Sequence, residues 1–312
     1  MRVTVMGAGG LGGYFGGLLA RAGHAVTFLA RGPHAEAIRR RGGLTVRAVD
    51  GEWLAAAGVV EHPKPDLADL ILFTVKAYDT EAAAPLIRPA IGSETPILSL
   101  QNGVDNEEVL ARHYGPERIL GGVVYIFSGI TAPGVVAQTG GPRRVVFGEW
   151  RGGMSDRVRR LESLLQGAGW NVTATGDVVR EKWVKFAFIT AQAGMTALTR
   201  LPIGEIRASL PTWAMFRQIM EEVVAVGRAR GVALGPEVIE NHMAFAEKLE
   251  PTGTSSLHND LIAGRRLEIE ALHGTVVRYG REAGVPTPAC AAVYAALLPH
   301  HLRAGQKASA PE

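Results

Sequence analysis

Residues 2–6, Arg-Val-Thr-Val-Met, run straight into Gly7-Ala8-Gly9-Gly10-Leu11-Gly12. A short apolar run followed by G-x-G-x-x-G and then a helical pattern is the fingerprint of a βαβ dinucleotide-binding unit. Each glycine has a separate task. Gly7 permits the tight turn, Gly9 lets backbone approach a pyrophosphate, and Gly12 lets helix and strand pack closely. Gly10 and Leu11 open the helix, whose unpaired N–H groups and positive dipole end suit phosphate. The chain has 39 glycines, so a merely flexible loop is the competing reading; the strand and helix on either side argue against it.

The pattern beyond this unit predicts two domains. Apolar runs at 25–30, 70–75 and 96–100 alternate with helical stretches at 12–22 and 34–41. Strands apolar on both faces and separated by helices predict a parallel sheet covered on both sides. Further strand-like runs at 121–127, 134–138 and 143–147, a helix over 156–168 and a strand over 171–175 complete a domain spanning 1–177. From about Val179 the apolar spacing becomes three and four, predicting helices over 180–199, 211–230, 236–248, 267–283 and 288–304. The fold class is therefore a Rossmann-type doubly wound α/β domain followed by an all-α domain over 178–304. The small, polar residues 305–312 are expected to be frayed.

The end of the second strand bears on the choice of dinucleotide. A carboxylate about 20 residues past the glycines would bind the ribose 2′-hydroxyl of NAD. Here the strand ends Leu29-Ala30-Arg31-Gly32, with no acid. Arg31 instead offers a fork of donors to a 2′-phosphate, so NADP is expected.

Cations elsewhere are mostly arginine; lysines are few. Burial can lower a lysine's pKa enough for it to exchange a proton, which arginine cannot do. Lys76 ends the run Ile71–Val75, and Asn102 follows the next strand in Gln101-Asn102-Gly103. The carboxyl edge of a parallel sheet is where such folds bind ligands, although an Asn-Gly pair is also a plain turn signal. Lys185 lies in an apolar helix, Trp183-Val184-Lys185-Phe186, with Ile189, Gln192 and Thr196 near its face. It is either a snorkelling side chain or the proton donor that a reductase needs.

Composition excludes several classes. The 33 basic and 30 acidic residues leave a net charge of only +3. No basic arm or aromatic-spaced basic stripe points to nucleic acid. No apolar run reaches the ~18 residues of a membrane span. Cys290 is the single cysteine, so no intrachain disulfide or cysteine-based metal site can be built. The N-terminal residues lack a signal-peptide pattern, and a reduced, cytoplasmic protein is expected. Apolar stripes in the helical part would serve a homodimer interface or an internal core equally well.

Taken in order, these residues resemble the ketopantoate reductase (2-dehydropantoate 2-reductase) family. The resemblance covers the glycine fingerprint, Thr74-Val75-Lys76-Ala77, Gln101-Asn102-Gly103, the lysine helix, and Ser255-Ser256-Leu257 through Asp260 to Glu268-Ile269-Glu270. It implies a Rossmann domain plus a helical domain, with the active site in the cleft. It also implies reduction of 2-dehydropantoate to pantoate by NADPH, toward pantothenate and coenzyme A. By the same resemblance Lys185 is the general acid, Asn102 helps hold nicotinamide and substrate, and Lys76 flanks the cofactor. Ser256 binds substrate, and Glu268 is the active-site carboxylate. Read from the residues alone, Ser255-Ser256 is a helix N-cap and Glu268 a first-turn acid.

The chain departs from the family pattern at three asparagines that bind pantoate's oxygens. Ile189 and Ala193 stand four and eight positions after Lys185, and Ile203 precedes Gly204-Glu205. Gln192 and Thr196 are expected to substitute in part. Two alternatives stay open: a reductase of a more apolar 2-oxoacid, and a non-catalytic NADP-binding regulator.

Overall fold

The computed structural model describes residues 1–62, 65 and 67–309. Its strands are β1 (Arg2–Met6), β2 (Ala25–Leu29), β3 (Gly43–Ala48), β4 (Gly51–Ala56), β5 (Gly58–Val60), β6 (Leu70–Phe73), β7 (Ile97–Ser99), β8 (Ile119–Ala132), β9 (Val135–Glu149) and β10 (Asn171–Ala174). Its helices are α1 (Gly10–Arg21), α2 (Gly32–Arg41), α3 (Thr80–Ala83), α4 (Asn106–Tyr114), α5 (Asp156–Gly167), α6 (Val178–Thr199), α7 (Ile203–Ala208), α8 (Leu210–Ala229), α9 (Glu237–Glu247), α10 (Ser256–Ile262), α11 (Thr275–Ala283) and α12 (Pro288–Ser309). The chain divides into two compact units. One contains residues 1–101 and 106–179; the other contains 102–105 and 180–312.

The first unit is built on a single sheet ordered β4-β3-β9-β8-β7-β6-β1-β2-β5, with β10 on β9. Its centre is parallel: β7, β6, β1 and β2 all run the same way. Alternation along a strand sends successive side chains to opposite faces. Leu70 and Leu72 accordingly join a core with Phe15, Leu19 and Trp170, while Ile71 and Phe73 join another with Ile87, Leu110 and Tyr114. A sheet buried on both faces is thus encoded in an unbroken apolar run.

The sheet is mixed rather than wholly parallel. β8 and β9 form one long antiparallel hairpin, where the sequence suggested three short strands. Only Pro133 and Gly134 separate them, and Gly134 has φ +73°. Such two-residue loops favour a residue that tolerates positive φ. β3 and β4 are a second antiparallel pair, in a stretch where no strand was expected.

The second unit is helical. α8 packs against α7, α9, α11 and α12. Buried Glu222 on α8 accepts hydrogen bonds from the amides of Ala289 and Cys290, both at 2.8 Å, at the start of α12. A carboxylate there satisfies orphan donors and complements the helix dipole. The expected helix 267–283 begins three residues later, as a π-turn, Glu270–Gly274, that runs directly into α11. α12 continues through Ser309, so 305–309, expected to be frayed, are helical. No proline interrupts that segment before Pro311. Residues 310–312 of the expected frayed tail lie outside the described residues. No described helix is long and apolar enough to cross a membrane.

Candidate active site

In the first unit, β1 delivers the chain into a turn at Gly7, whose φ of +101° strongly favours glycine. Gly12 on α1 presses against the Gly7 carbonyl and the Thr74 hydroxyl, leaving no room for a Cβ. Gly10 is equally confined: a Cβ there would lie 2.5 Å from the Ser128 carbonyl oxygen. Gly9 differs, since nothing stands within 4 Å of the position its Cβ would take. Gly9 is also the N-cap of α1 and provides no side-chain cap for the helix amides. The glycines at 7 and 12 therefore build the turn, and the one at 9 opens it. Bare amides at a helix start below open space fit a dinucleotide pyrophosphate.

Arg31, the N-cap of α2, is exposed and follows β2 after a single residue. Lys76 follows β6 and precedes a short 3₁₀ turn, Ala77–Asp79. Gln101 braces this edge, donating from Nε2 to the Val75 carbonyl at 2.9 Å and to the Thr80 hydroxyl at 2.7 Å. Lys76 and Asn102, which the strand ends suggested as facing one ligand, belong to different units.

In the second unit, α6 presents Lys185. Its Nζ donates to Asn102 Oδ1 at 2.7 Å. The segment carrying Asn102 is anchored to α11: Thr275 Oγ1 and Arg278 Nη2 donate to Asp105 Oδ2 at 3.0 and 2.7 Å. The Lys185 pKa is lowered from 10.5 to about 7, chiefly by burial and also by the positive charge of Lys182, with Glu268 opposing both. Lys182 and Glu268 are themselves buried. A lysine poised near neutrality can give up a proton and regain it, as a general acid must. Lys182 was not singled out from sequence. Its signal is its place one helical turn before Lys185.

The serine pair divides its labour. Ser255 is the N-cap of α10, accepting from the His258 amide at 3.1 Å. Its hydroxyl also bonds Thr196 Oγ1 at 2.8 Å, tying α10 to α6. Ser256, the first helical residue, is exposed and makes no side-chain hydrogen bond among the described residues. The capping reading therefore applies to Ser255, and Ser256 is left available.

The expectation that Thr196 replaces a missing asparagine is corrected. Thr196 is fully buried, and its hydroxyl is committed to Ser255 and to the Gln192 carbonyl. Gln192 is only partly buried, with one long contact of 3.4 Å to the Thr254 carbonyl. Ala193 and Ile203 are buried, whereas Ile189 keeps partial exposure one turn beyond Lys185.

A dinucleotide-binding βαβ unit joined in one chain to a helical unit carrying a tuned lysine defines an oxidoreductase of the nicotinamide-dependent kind. Comparison with known proteins makes this specific. The family model described as "Ketopantoate reductase PanE/ApbA" matches residues 3–152, and the corresponding C-terminal model matches 177–300. The chain is 31% identical to "Uncharacterized oxidoreductase YkpB" of Bacillus subtilis, over 95% of this chain and 98% of that protein. It is 32% identical to a 2-dehydropantoate 2-reductase of Archaeoglobus fulgidus, over 91% and 92%. A crystal structure of a PanE/ApbA family ketopantoate reductase from Ralstonia eutropha superposes with a TM-score of 0.90 at 33% identity, covering 98% of this chain and all of that one. The chain belongs to the ketopantoate reductase family, whose members are oxidoreductases acting on a CH–OH group.

Proposed function

We propose that this chain reduces 2-dehydropantoate to pantoate with NADPH, a step toward pantothenate. The observation that carries the reading is the Lys185 amine: bonded to Asn102 and held near neutrality within a family of CH–OH oxidoreductases. The first unit holds the dinucleotide at Gly7, Gly9, Gly10, Leu11 and Gly12, with Lys76 beside it and Arg31 on the 2′-phosphate. The second unit holds the 2-oxoacid. The nicotinamide, when bound, supplies a hydride to the substrate's C2. Lys185 Nζ gives its proton to the C2 oxygen, which becomes the hydroxyl of the product, and the neutral amine regains a proton from water. Asn102 holds the amine in line. Ser256 and Glu268 provide a donor and an acceptor for the substrate's hydroxyl.

Purified protein is given NADPH with 2-dehydropantoate or with branched 2-oxoacids lacking the hydroxyl. A higher kcat/KM for 2-dehydropantoate is expected, and preference for a branched acid would overturn the assignment. Arg31→Ala is expected to raise the Kd for NADPH by about 10- to 100-fold while leaving NADH unchanged, the loss of a charge-assisted pairing. Unchanged NADPH affinity would remove Arg31 from this role.

One observation favours a second reading, a more apolar 2-oxoacid. Ile189 presents hydrocarbon one turn past Lys185, and Thr196 is spent on Ser255. A site with fewer polar partners discriminates less in favour of a hydroxylated substrate. The same panel of acids separates the two.

A further inference from the structure

His34 lies in the first turn of α2, half-buried, and is hydrogen-bonded at both ring nitrogens. Nδ1 is 3.1 Å from the Gly134 amide nitrogen, and Nε2 is 2.9 Å from the Ala8 carbonyl oxygen. These partners dictate where the ring carries its proton. A backbone N–H can only donate, so Nδ1 must be bare. A carbonyl can only accept, so Nε2 must bear the hydrogen. One neutral tautomer satisfies both; the imidazolium satisfies only one.

Both partners lie in stiff surroundings. Gly134 is in the β8–β9 turn, and a Cβ there would lie 2.9 Å from both Ala37 Cβ and Arg41 Nη1 of α2. Arg41 Nη1 also donates to the Pro133 carbonyl at 3.2 Å. Ala8 is the residue between the first two fingerprint glycines. Thr74 Oγ1 donates to the carbonyls of the two preceding residues, Met6 and Gly7, at 3.0 and 2.8 Å. Three successive carbonyls of the phosphate-binding turn are therefore held.

A peptide unit is planar, and when trans its N–H points opposite to its C=O. The chain contains no cis peptide bond among its described residues. Holding the Ala8 carbonyl therefore aims the Gly9 N–H, and Gly9 is the glycine with open space above it. We propose that His34 is a positioning residue for the dinucleotide: its Nε2–H fixes the Ala8–Gly9 peptide plane and so presets the Gly9 amide for the pyrophosphate. The proposal rests on the dinucleotide reading above and adds a residue that acts through backbone rather than on the cofactor itself.

Protonation would place a hydrogen on Nδ1, facing the Gly134 N–H. Burial holds the ring's pKa below its ordinary 6.5, with the Ala8 carbonyl partly opposing. The two segments that bond it, 7–10 and 131–135, contain no titratable side chain; its own helix carries Arg31, Glu36, Arg39, Arg40 and Arg41. The Nε2–H bond to Ala8 survives protonation but the Gly134 N–H bond that anchors the ring does not, so the ring is held from both sides at neutral pH and from one side only in acid.

The test uses the full chain, titrated with NADPH and separately with NADH, and reads the His34 ring by nitrogen NMR. A bare Nδ1 and protonated Nε2 are expected at neutral pH. His34→Ala is expected to weaken both nucleotides by the same factor, about tenfold for the lost pair of hydrogen bonds. The loss is expected mainly in KM for the dinucleotide rather than in kcat. His34→Gln is expected to recover most of the affinity, since its amide oxygen accepts and its nitrogen donates. It should also lack the wild type's additional loss of NADH affinity in acid. An Nδ1–H tautomer, or wild-type affinities in His34→Ala, would overturn this proposal alone. Failure of the wild type to bind either nucleotide would overturn the dinucleotide reading and this proposal with it.

Discussion

A proton donor must be charged before the step and neutral after it, so the direction of its pH dependence is determined by its role. Lys185 has a pKa lowered to about 7 by burial and by Lys182, with Glu268 pulling the other way. Reduction needs the ammonium form, so kcat/KM in that direction should fall as pH rises through about 7. Oxidation of the hydroxyacid needs the free amine, and its rate should rise over the same range. The two neighbours make this sharper. Lys182→Gln removes a like charge, which stabilises the ammonium and should move the reductive limb to higher pH. Glu268→Gln removes the opposite charge and should move it lower. Rate profiles of the three proteins against pH check both signs, and a limb that stays in place in both variants would mean another group titrates. Lys185→Ala should lower kcat by about 10²–10⁴-fold, the usual contribution of a positioned acid.

At the scale of elements, α6 shows what a pattern can and cannot reveal. Its apolar spacing made it legible as a helix and made Lys185 conspicuous. Its contacts were not legible, because they come from segments far away in the chain. Gly194 illustrates this: a Cβ there would collide with His273 Nε2 and lie 3.2 Å from Val293 Cγ1. Helix propensity alone favours alanine over glycine by about 1 kcal/mol. Here overpacking should win, so Gly194→Ala is expected to destabilise the fold by about 1–3 kcal/mol, seen as a lower denaturant midpoint. The same reasoning separates legible strands from hidden ones. β1, β6 and β7 are buried on both faces and read as continuous apolar runs. β3, β4 and β5 carry exposed positions among glycines and alanines, so no run announces them. The site divides similarly. The glycine turn was readable because its geometry is local. Lys182's influence, Thr196's commitment to Ser255 and the His34 brace depend on through-space partners that no spacing rule encodes.

At the scale of the whole molecule, two desolvated bases tie stability to pH in separate windows. His273 is fully buried on the π-turn, and neither ring nitrogen makes a well-formed hydrogen bond. Burial lowers its pKa to about 3, with the Thr190 backbone weakly opposing. The unfolded chain binds this proton near the ordinary value of 6.5, and the native protein does not. Stability from this group is therefore complete above 6.5 and is lost progressively as pH falls toward 3, at about 1.4 kcal/mol per pH unit within the window. Lys185 obeys the same rule at higher pH: its native pKa is about 7 against 10.5 unfolded, so stability falls between those values as the solution is acidified. A lysine desolvated for catalysis thus makes the fold less stable at neutral pH than an apolar side chain would. Lys185→Met should be inactive yet have a higher urea midpoint than wild type at pH 7, with the advantage shrinking toward about pH 10 as the unfolded lysine also loses its proton. His273→Leu should instead resemble wild type at pH 7 and lose less stability in acid. Urea midpoints for the three proteins across this range test both claims. A Lys185→Met protein no more stable than wild type at pH 7 would show that its amine is solvated in the folded chain, and the tuned acid would go with it.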